Sequence, residues 1–167
     1  MRKTLDLSQI TVLIDTREKL PFDLTPLKTQ KATLSTGDYS ILGLEKHVAI
    51  ERKGLQDLVG CVGGERERFE REIQRLKSYP VRAIICEGSY GQIEAKAYRG
   101  RVHPNSILGS ICGWAAGGLP IIMAGNRERA QRLAQNILVI AAKRRYAELV
   151  KFGEVIEGKK GQNSGAA

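Results

Sequence analysis

Apolar residues in this chain alternate, run together or recur at helical spacing, and these patterns lay out its elements. Thr11 to Ile14 is a short β-branched run ending in Asp15, which predicts a buried strand. The next stretch, Thr16 to Gln30, holds Pro21 and Pro26 and reads as loop, with a second strand expected over Lys31 to Leu34. Residues 38–53, DYSILGLEKHVAIERK, predict two strands joined near Gly43. A helix is expected from Gly54 to about Val62. After Gly63-Gly64 a second runs from Glu65 to Tyr79, with Phe69, Ile73 and Leu76 on its inner stripe. Its remaining positions mix Glu and Arg, which predicts a solvated surface. Pro80 ends it, and Val81 to Cys86 reads as a strand. Pro104 opens a helix carrying Ile107, Ile111 and Trp114, Gly117-Gly118 closes it, and Leu119 to Met123 forms a further strand. Asn126 caps a long helix with Ala130, Leu133, Ala134, Ile137 and Ala141 on its stripe. A polar, Gly-rich flexible tail is expected over 153–167, after one domain spanning 1–152. Strands in a meander, then strands alternating with helices, predict an α/β domain with a mixed sheet.

The 38–53 segment carries the first candidate chemistry. A hairpin turning at Leu44-Glu45 would place Asp38 opposite Glu51, Tyr39 opposite Ile50 and Ile41 opposite Val48. Facing Cα atoms lie ~4.5–5.5 Å apart. Lys53 falls two residues beyond Glu51, on the same face. Two adjacent carboxylates repel, so either one retains a proton or a cation settles between them; oxygen donors with retained waters suit magnesium. By spacing alone, a solvated charged hairpin fits as well. Asp15 ends a buried strand, where α/β sheets gather ligand sites, and Glu18 follows with Arg17 between; a solvated loop is the competing reading. Asp57 lies in the first turn of the next helix, where it serves the helix dipole or the site.

Composition narrows the partner. The 167 residues suit one domain and carry a net charge of +9, which favours polyanions. Aromatics make up only 5%, which argues against a single-strand binder built on base stacking. A candidate basic patch comprises Arg99, Arg101, Lys143, Arg144 and Arg145, with a merely solubilising surface as the alternative. Cys61, Cys86 and Cys112 have no paired spacing; Cys86 and Cys112 are expected in the core, and a reducing compartment follows. No apolar run suggests a membrane helix, and residues 1–10 lack the pattern of a secretory signal.

Taken together, these motifs resemble the XPF-type nuclease family, a branch of the restriction-endonuclease-like nucleases. The carrying residues are Gly37-Asp38, a gap of twelve, Glu51-Arg52-Lys53, three more, then Asp57, with Asp15-Thr16-Arg17-Glu18 upstream. FEREIQRLK, RVHPNSILGSI and LPIIM add to the likeness, which spans about residues 10–145. The resemblance implies a restriction-endonuclease-like mixed central sheet flanked by helices. It also implies a Mg2+- or Mn2+-dependent endonuclease that hydrolyses DNA, at branched, flap or fork structures. Asp38, Glu51 and Asp15 would bind the metal, and Lys53 would position or polarise the attacking water. Glu18 and Asp57 would complete the site, with Arg52 shaping it and Arg17 contacting phosphate. His103 is expected in a structural or substrate-contact role, and Trp114 in the core or at an interface. Relatives also pair through their nuclease domains, so a homodimer is expected. They further carry a tandem helix-hairpin-helix domain, which the GKKGQNSGAA end does not resemble. DNA gripping is then expected from this domain's own basic surface, a second copy or another protein. An intracellular location follows, cytoplasmic in a prokaryotic or viral setting and otherwise nuclear. The competing readings are a catalytically silent DNA-binding scaffold and a nuclease acting on plain duplex or RNA.

Overall fold

A computed structural model describes residues 4–158. Its strands are β1 (Thr11–Asp15), β2 (Lys28–Ala32), β3 (Tyr39–Ile41), β4 (Val48–Lys53), β5 (Val81–Cys86) and β6 (Ile121–Met123). The helices are α1 (Leu55–Val62), α2 (Arg66–Lys77), α3 (Tyr90–Glu94), α4 (Pro104–Ala116) and α5 (Arg127–Ile156). The six strands make one sheet in the order β2-β1-β3-β4-β5-β6. Only β3 is reversed, antiparallel to both β1 and β4; the other ladders are parallel.

The first strands therefore do not form the expected meander. β2 starts at Lys28, earlier than the pattern suggested, and pairs parallel with β1. Parallel pairing needs a long return connection, and residues 16–27 supply it while burying Phe22, Leu24 and Leu27. Being an edge strand with four exposed residues, β2 offers little apolar signal to read.

Strand alternation sends side chains to two cores. Val12, Ile14, Tyr39, Val48, Ile50 and Ile85 pack on one face against Ala130, Ala134, Leu138 and Ala141 of α5. Ala49, Ile84 and Cys86 pack on the other against Leu58 of α1, Phe69 and Ile73 of α2, and Ile111 and Trp114 of α4. Fully burying a large apolar side chain contributes roughly 1.5–3 kcal/mol. Phe69, Ile73 and Leu76 thus hold α2 firmly against the sheet, with the adjoining flank of the helix walling a cleft.

Some sequence expectations shift. The α5 stripe runs through Ala130, Ala134, Leu138, Ala141 and Ala142, with Leu133 and Ile137 only partly buried. The helix continues to Ile156, so residues 153–156 are helical rather than tail; 159–167 of the expected tail lie outside the described residues. Cys86 is buried as expected, but Cys112 is exposed, because it lies one residue past Ile111 and so turns off the buried stripe of α4. The short α3 had no helical repeat to read; Ser89 and Gln92 close its capping box and Ile93 anchors it.

Candidate active site

Gly37 sets the geometry of the site. Its φ is +79°, and a Cβ there would lie 3.0 Å from the Ile50 carbonyl oxygen, so only glycine lets the chain pass this close to β4. The Asp38 N–H consequently donates to the Ile50 carbonyl at 2.8 Å, and the Asp38 carbonyl accepts from the Asp15 N–H at 2.8 Å. Tyr39 pairs with Ile50 in the expected register, which brings Asp38 beside Glu51. The connection is longer than the two-residue turn expected: Leu42–His47 link the strands, with the Leu44 carbonyl accepting from both His47 and Val48. On its other side Ile41 aligns with Val12 of β1, and the β3–β4 ladder is formed at Tyr39 and Ile50.

Glu51, Lys53 and Asp38 line an open cleft of about 320 Å³, together with Asp15, Arg17, Ser35, Thr36 and Gly37 from the β1–β3 side. Arg68, Glu72 and Arg75 of α2 wall the other side. Lys53 Nζ lies 2.7 Å from Glu51 Oε1 and 3.6 Å from Glu72 Oε1, and 5.3 Å from the Phe69 ring centroid. Burial pushes the Asp38 carboxyl up to about 6, even though the Arg52 N–H bonds to it. Burial also raises Glu51 well above the usual range, and the charge of Asp38 adds to this. Burial opposes the Lys53 ammonium, but Glu51 and Glu72 outweigh it and keep the lysine charged. The cleft is therefore a place where negative charge is crowded and only partly compensated.

Asp15 borders the cleft but is already engaged. Its two oxygens accept from the Arg17 N–H, the Arg17 guanidinium twice, and the Leu34 N–H, at 2.7–3.1 Å. Those four bonds use its lone pairs, so it organises the loop rather than offering a free ligand oxygen.

Arg52 and Glu18 fall on the opposite face. Adjacent strand residues point to opposite sides, so Arg52 leaves the Glu51 face and reaches toward α5. Its guanidinium bonds to Glu18 at 2.8 and 3.2 Å and to Glu87 at 3.1 Å. Glu87 also holds Arg127 at 2.8 Å, and Arg127 donates to the Leu20 and Pro21 carbonyls. Neither Glu18 nor the Arg52 side chain lines the cleft.

Other expected residues lie elsewhere. Asp57 accepts from the Gly54 N–H at 3.2 Å and caps α1 instead of lining the cleft. Arg99 is clasped through its backbone by Gln56, and Arg101 is exposed on the same loop. Arg145 lines a groove with Ile10, Thr11 and Leu42, at the end of β1 and β3 remote from Asp15 and Asp38. Lys143 and Arg144 flank it on α5, so that part of the basic patch does not converge on the carboxylates. His103 caps α4 through Nδ1, and Trp114 is buried edge-on against Phe69, donating to Glu70. Glu72, Arg68 and Arg75 escaped the sequence reading because a mixed-charge helix face looks solvated. Their i, i+4, i+7 spacing, about 100° around the helix from the Phe69–Ile73–Leu76 stripe, is the signal in the sequence.

The donor set fits a hard divalent cation. Among the described residues no group of three or more His, Cys, Asp or Glu side chains is placed to hold a metal. Two crowded carboxylates in an open cleft nevertheless suit magnesium, which keeps several waters and takes one or two carboxylates.

The mixed sheet between helical layers, with an acidic cleft at its strand ends, defines an α/β domain with a candidate cation site. The chain belongs to the ERCC4 domain family, whose model matches residues 14–137, and it carries an XPF-type nuclease domain. Its fold is similar to the solved structure of XPF from Aeropyrum pernix, with a TM-score of 0.62 and 19% identity. That similarity covers 78% of this chain and 61% of the other. Comparison with curated proteins gives no sequence match.

Proposed function

We propose that this domain is a Mg2+-dependent endonuclease that hydrolyses DNA phosphodiester bonds, with branched DNA such as flaps and forks as its substrates. The observation that carries the reading is the Asp38–Glu51 pair, one half-buried and the other buried, beside Lys53 in a cleft that opens to solvent. Asp38 and Glu51 would hold the cation, which when bound supplies Lewis-acid stabilisation of charge building on the phosphate. The protein's own groups do the rest. Arg52 N–H fixes the Asp38 carboxylate from the backbone, Glu51 and Glu72 hold the Lys53 ammonium, and Lys53 orients and polarises the attacking water. Asp15 acts through Arg17, locking the loop at the edge of the cleft.

We also infer a homodimer. Leu149, Phe152 and Ile156 recur at i, i+3, i+7 near the end of α5 and are exposed, an apolar stripe of the kind that marks an interface. The net charge of +9 fits a polyanionic substrate, and no helix among the described residues is long and apolar enough to cross a membrane. An intracellular setting, cytoplasmic or nuclear, agrees with three unpaired cysteines and a DNA substrate.

A panel of flaps, forks, nicked junctions and plain duplex, incubated with and without Mg2+, tests the reading. Cleavage of branched substrates that requires Mg2+ and disappears in Asp38→Asn and Lys53→Ala is expected. Full activity in Asp38→Asn would sink the metal assignment. Intact DNA binding with no cutting of any substrate would identify a scaffold instead.

A further inference from the structure

Three arginines rim the cleft. Arg17 stands on the β1 side, while Arg68 and Arg75 stand on α2. All three are exposed, and they differ in how they are held. Arg17 is 69% exposed, yet its guanidinium is fixed on Asp15 and on the Leu34 carbonyl at 2.7 Å, and the charges of Asp38 and Glu51 also act on it. Arg68 pairs with Glu65 at 2.6 Å, an exposed i,i+3 contact that contributes little and yields readily to a stronger anion. No side-chain ion pair of Arg75 is found among the described residues, although it lines the same wall.

We infer that Arg68 and Arg75, facing Arg17 across the carboxylate pair, form a track for the nucleic-acid backbone, gripping phosphates that flank the one to be cut. This rests on the reading of the cleft as a phosphodiester-cutting site and adds the surface that delivers the strand to it. The geometry supports it. Arg68 and Arg75 lie two helical turns apart, ~10 Å along α2. Phosphates on one strand of a duplex advance ~3.4 Å along the axis, so the two guanidinium groups span about three nucleotides. Glu72 sits between them and points to Lys53, which leaves the arginines as the outward-facing charges of that wall. The planar guanidinium suits a phosphate's paired oxygens. Lys143, Arg144 and Arg145 are at the other end of the sheet and cannot share this strand near the cut.

Fluorescence anisotropy on a labelled duplex and a labelled flap, in EDTA so that nothing is cut, tests the track separately from catalysis. The probe proteins are wild type, Arg68→Ala/Arg75→Ala, Arg75→Glu and Lys143→Ala/Arg144→Ala, with circular dichroism to verify folding. The expected result is an affinity loss in the double α2 variant at low salt. Each arginine removed should also lower the slope of log K against log salt by about 1. Arg75→Glu should weaken binding further than neutral substitution. A wild-type slope and affinity in both α2 variants, or a deficit found only in Lys143→Ala/Arg144→Ala, overturns the track while leaving the nuclease reading intact. Absence of wild-type binding to either DNA overturns both.

Discussion

The backbone N–H of Arg52 donates to Asp38 Oδ2 at 2.8 Å, while the guanidinium of the same residue leaves for the opposite face of the sheet. One residue thus serves the cleft with its main chain and the α5 side with its side chain. Removing the side chain leaves the first bond and abolishes the second set. Glu18, with a side chain only 4% exposed, would be left buried without its cation. Arg52→Ala is therefore expected to destabilise the domain by about 3 kcal/mol, since an orphaned buried charge is the costly outcome. Urea denaturation checks it; a wild-type midpoint would show that the network carries no stability.

The acidic pair predicts a pH signature. Asp38 rises from 3.8 to about 6 in the fold, so between those values the folded state binds the proton more tightly than the unfolded chain. Stability should then fall as pH rises through that window and stay low above it, the reverse of a salt-bridged carboxylate. Asp38→Asn, which can still accept from Arg52, should flatten the slope and stabilise the metal-free protein by about 1–2 kcal/mol above pH 6. Mg2+ should raise the wild-type melting temperature more at pH 7.5 than at pH 5, and have little effect on the variant. Thermal melts at the two pH values decide it, and a wild-type slope in Asp38→Asn would contradict the assignment.

Glu72 should matter to turnover more than to folding. Glu72→Gln keeps the size of the side chain but withdraws one of the two carboxylates on Lys53. A roughly tenfold drop in the single-turnover cleavage rate is expected, about 1.4 kcal/mol of lost barrier stabilisation, with DNA affinity preserved. An unchanged rate would reduce Glu72 to a wall residue.

The exposed end of α5 offers a test of pairing. Phe152→Asp places a charge in the middle of the Leu149–Phe152–Ile156 stripe. Light scattering should show a dimer for the wild type and a monomer for the variant. A monomeric wild type across concentrations would remove the dimer from the proposal.

Much of this architecture can be read in advance, for identifiable reasons. Alternation in DYSILGLEKHVAIERK gives the register that sets Asp38 beside Glu51, because a one-residue slip would turn Tyr39 and Ile50 away from the core. The α2 anchors follow from helical spacing. What local pattern cannot supply is partnership over distance. Arg52 is bracketed by residues 34 and 35 positions away, Glu18 and Glu87, and nothing near it in sequence announces either. Asp15 reads as a ligand and Asp57 as a supporting site residue because they are acidic and well placed, yet a neighbouring arginine and a helix start engage them. Glu72 reads as a surface charge until the strand beneath it turns out to carry a lysine.

Arg127 begins the final helix and reaches back across the sheet to Glu87, which in turn braces the residue whose amide holds Asp38. A brace of the acidic cleft thus comes from the start of α5, far along the chain from both carboxylates. A nascent chain that has displayed both carboxylates still lacks the brace that steadies them. Proteolysis ahead of residue 127 should consequently remove that brace without touching a single group that lines the cleft.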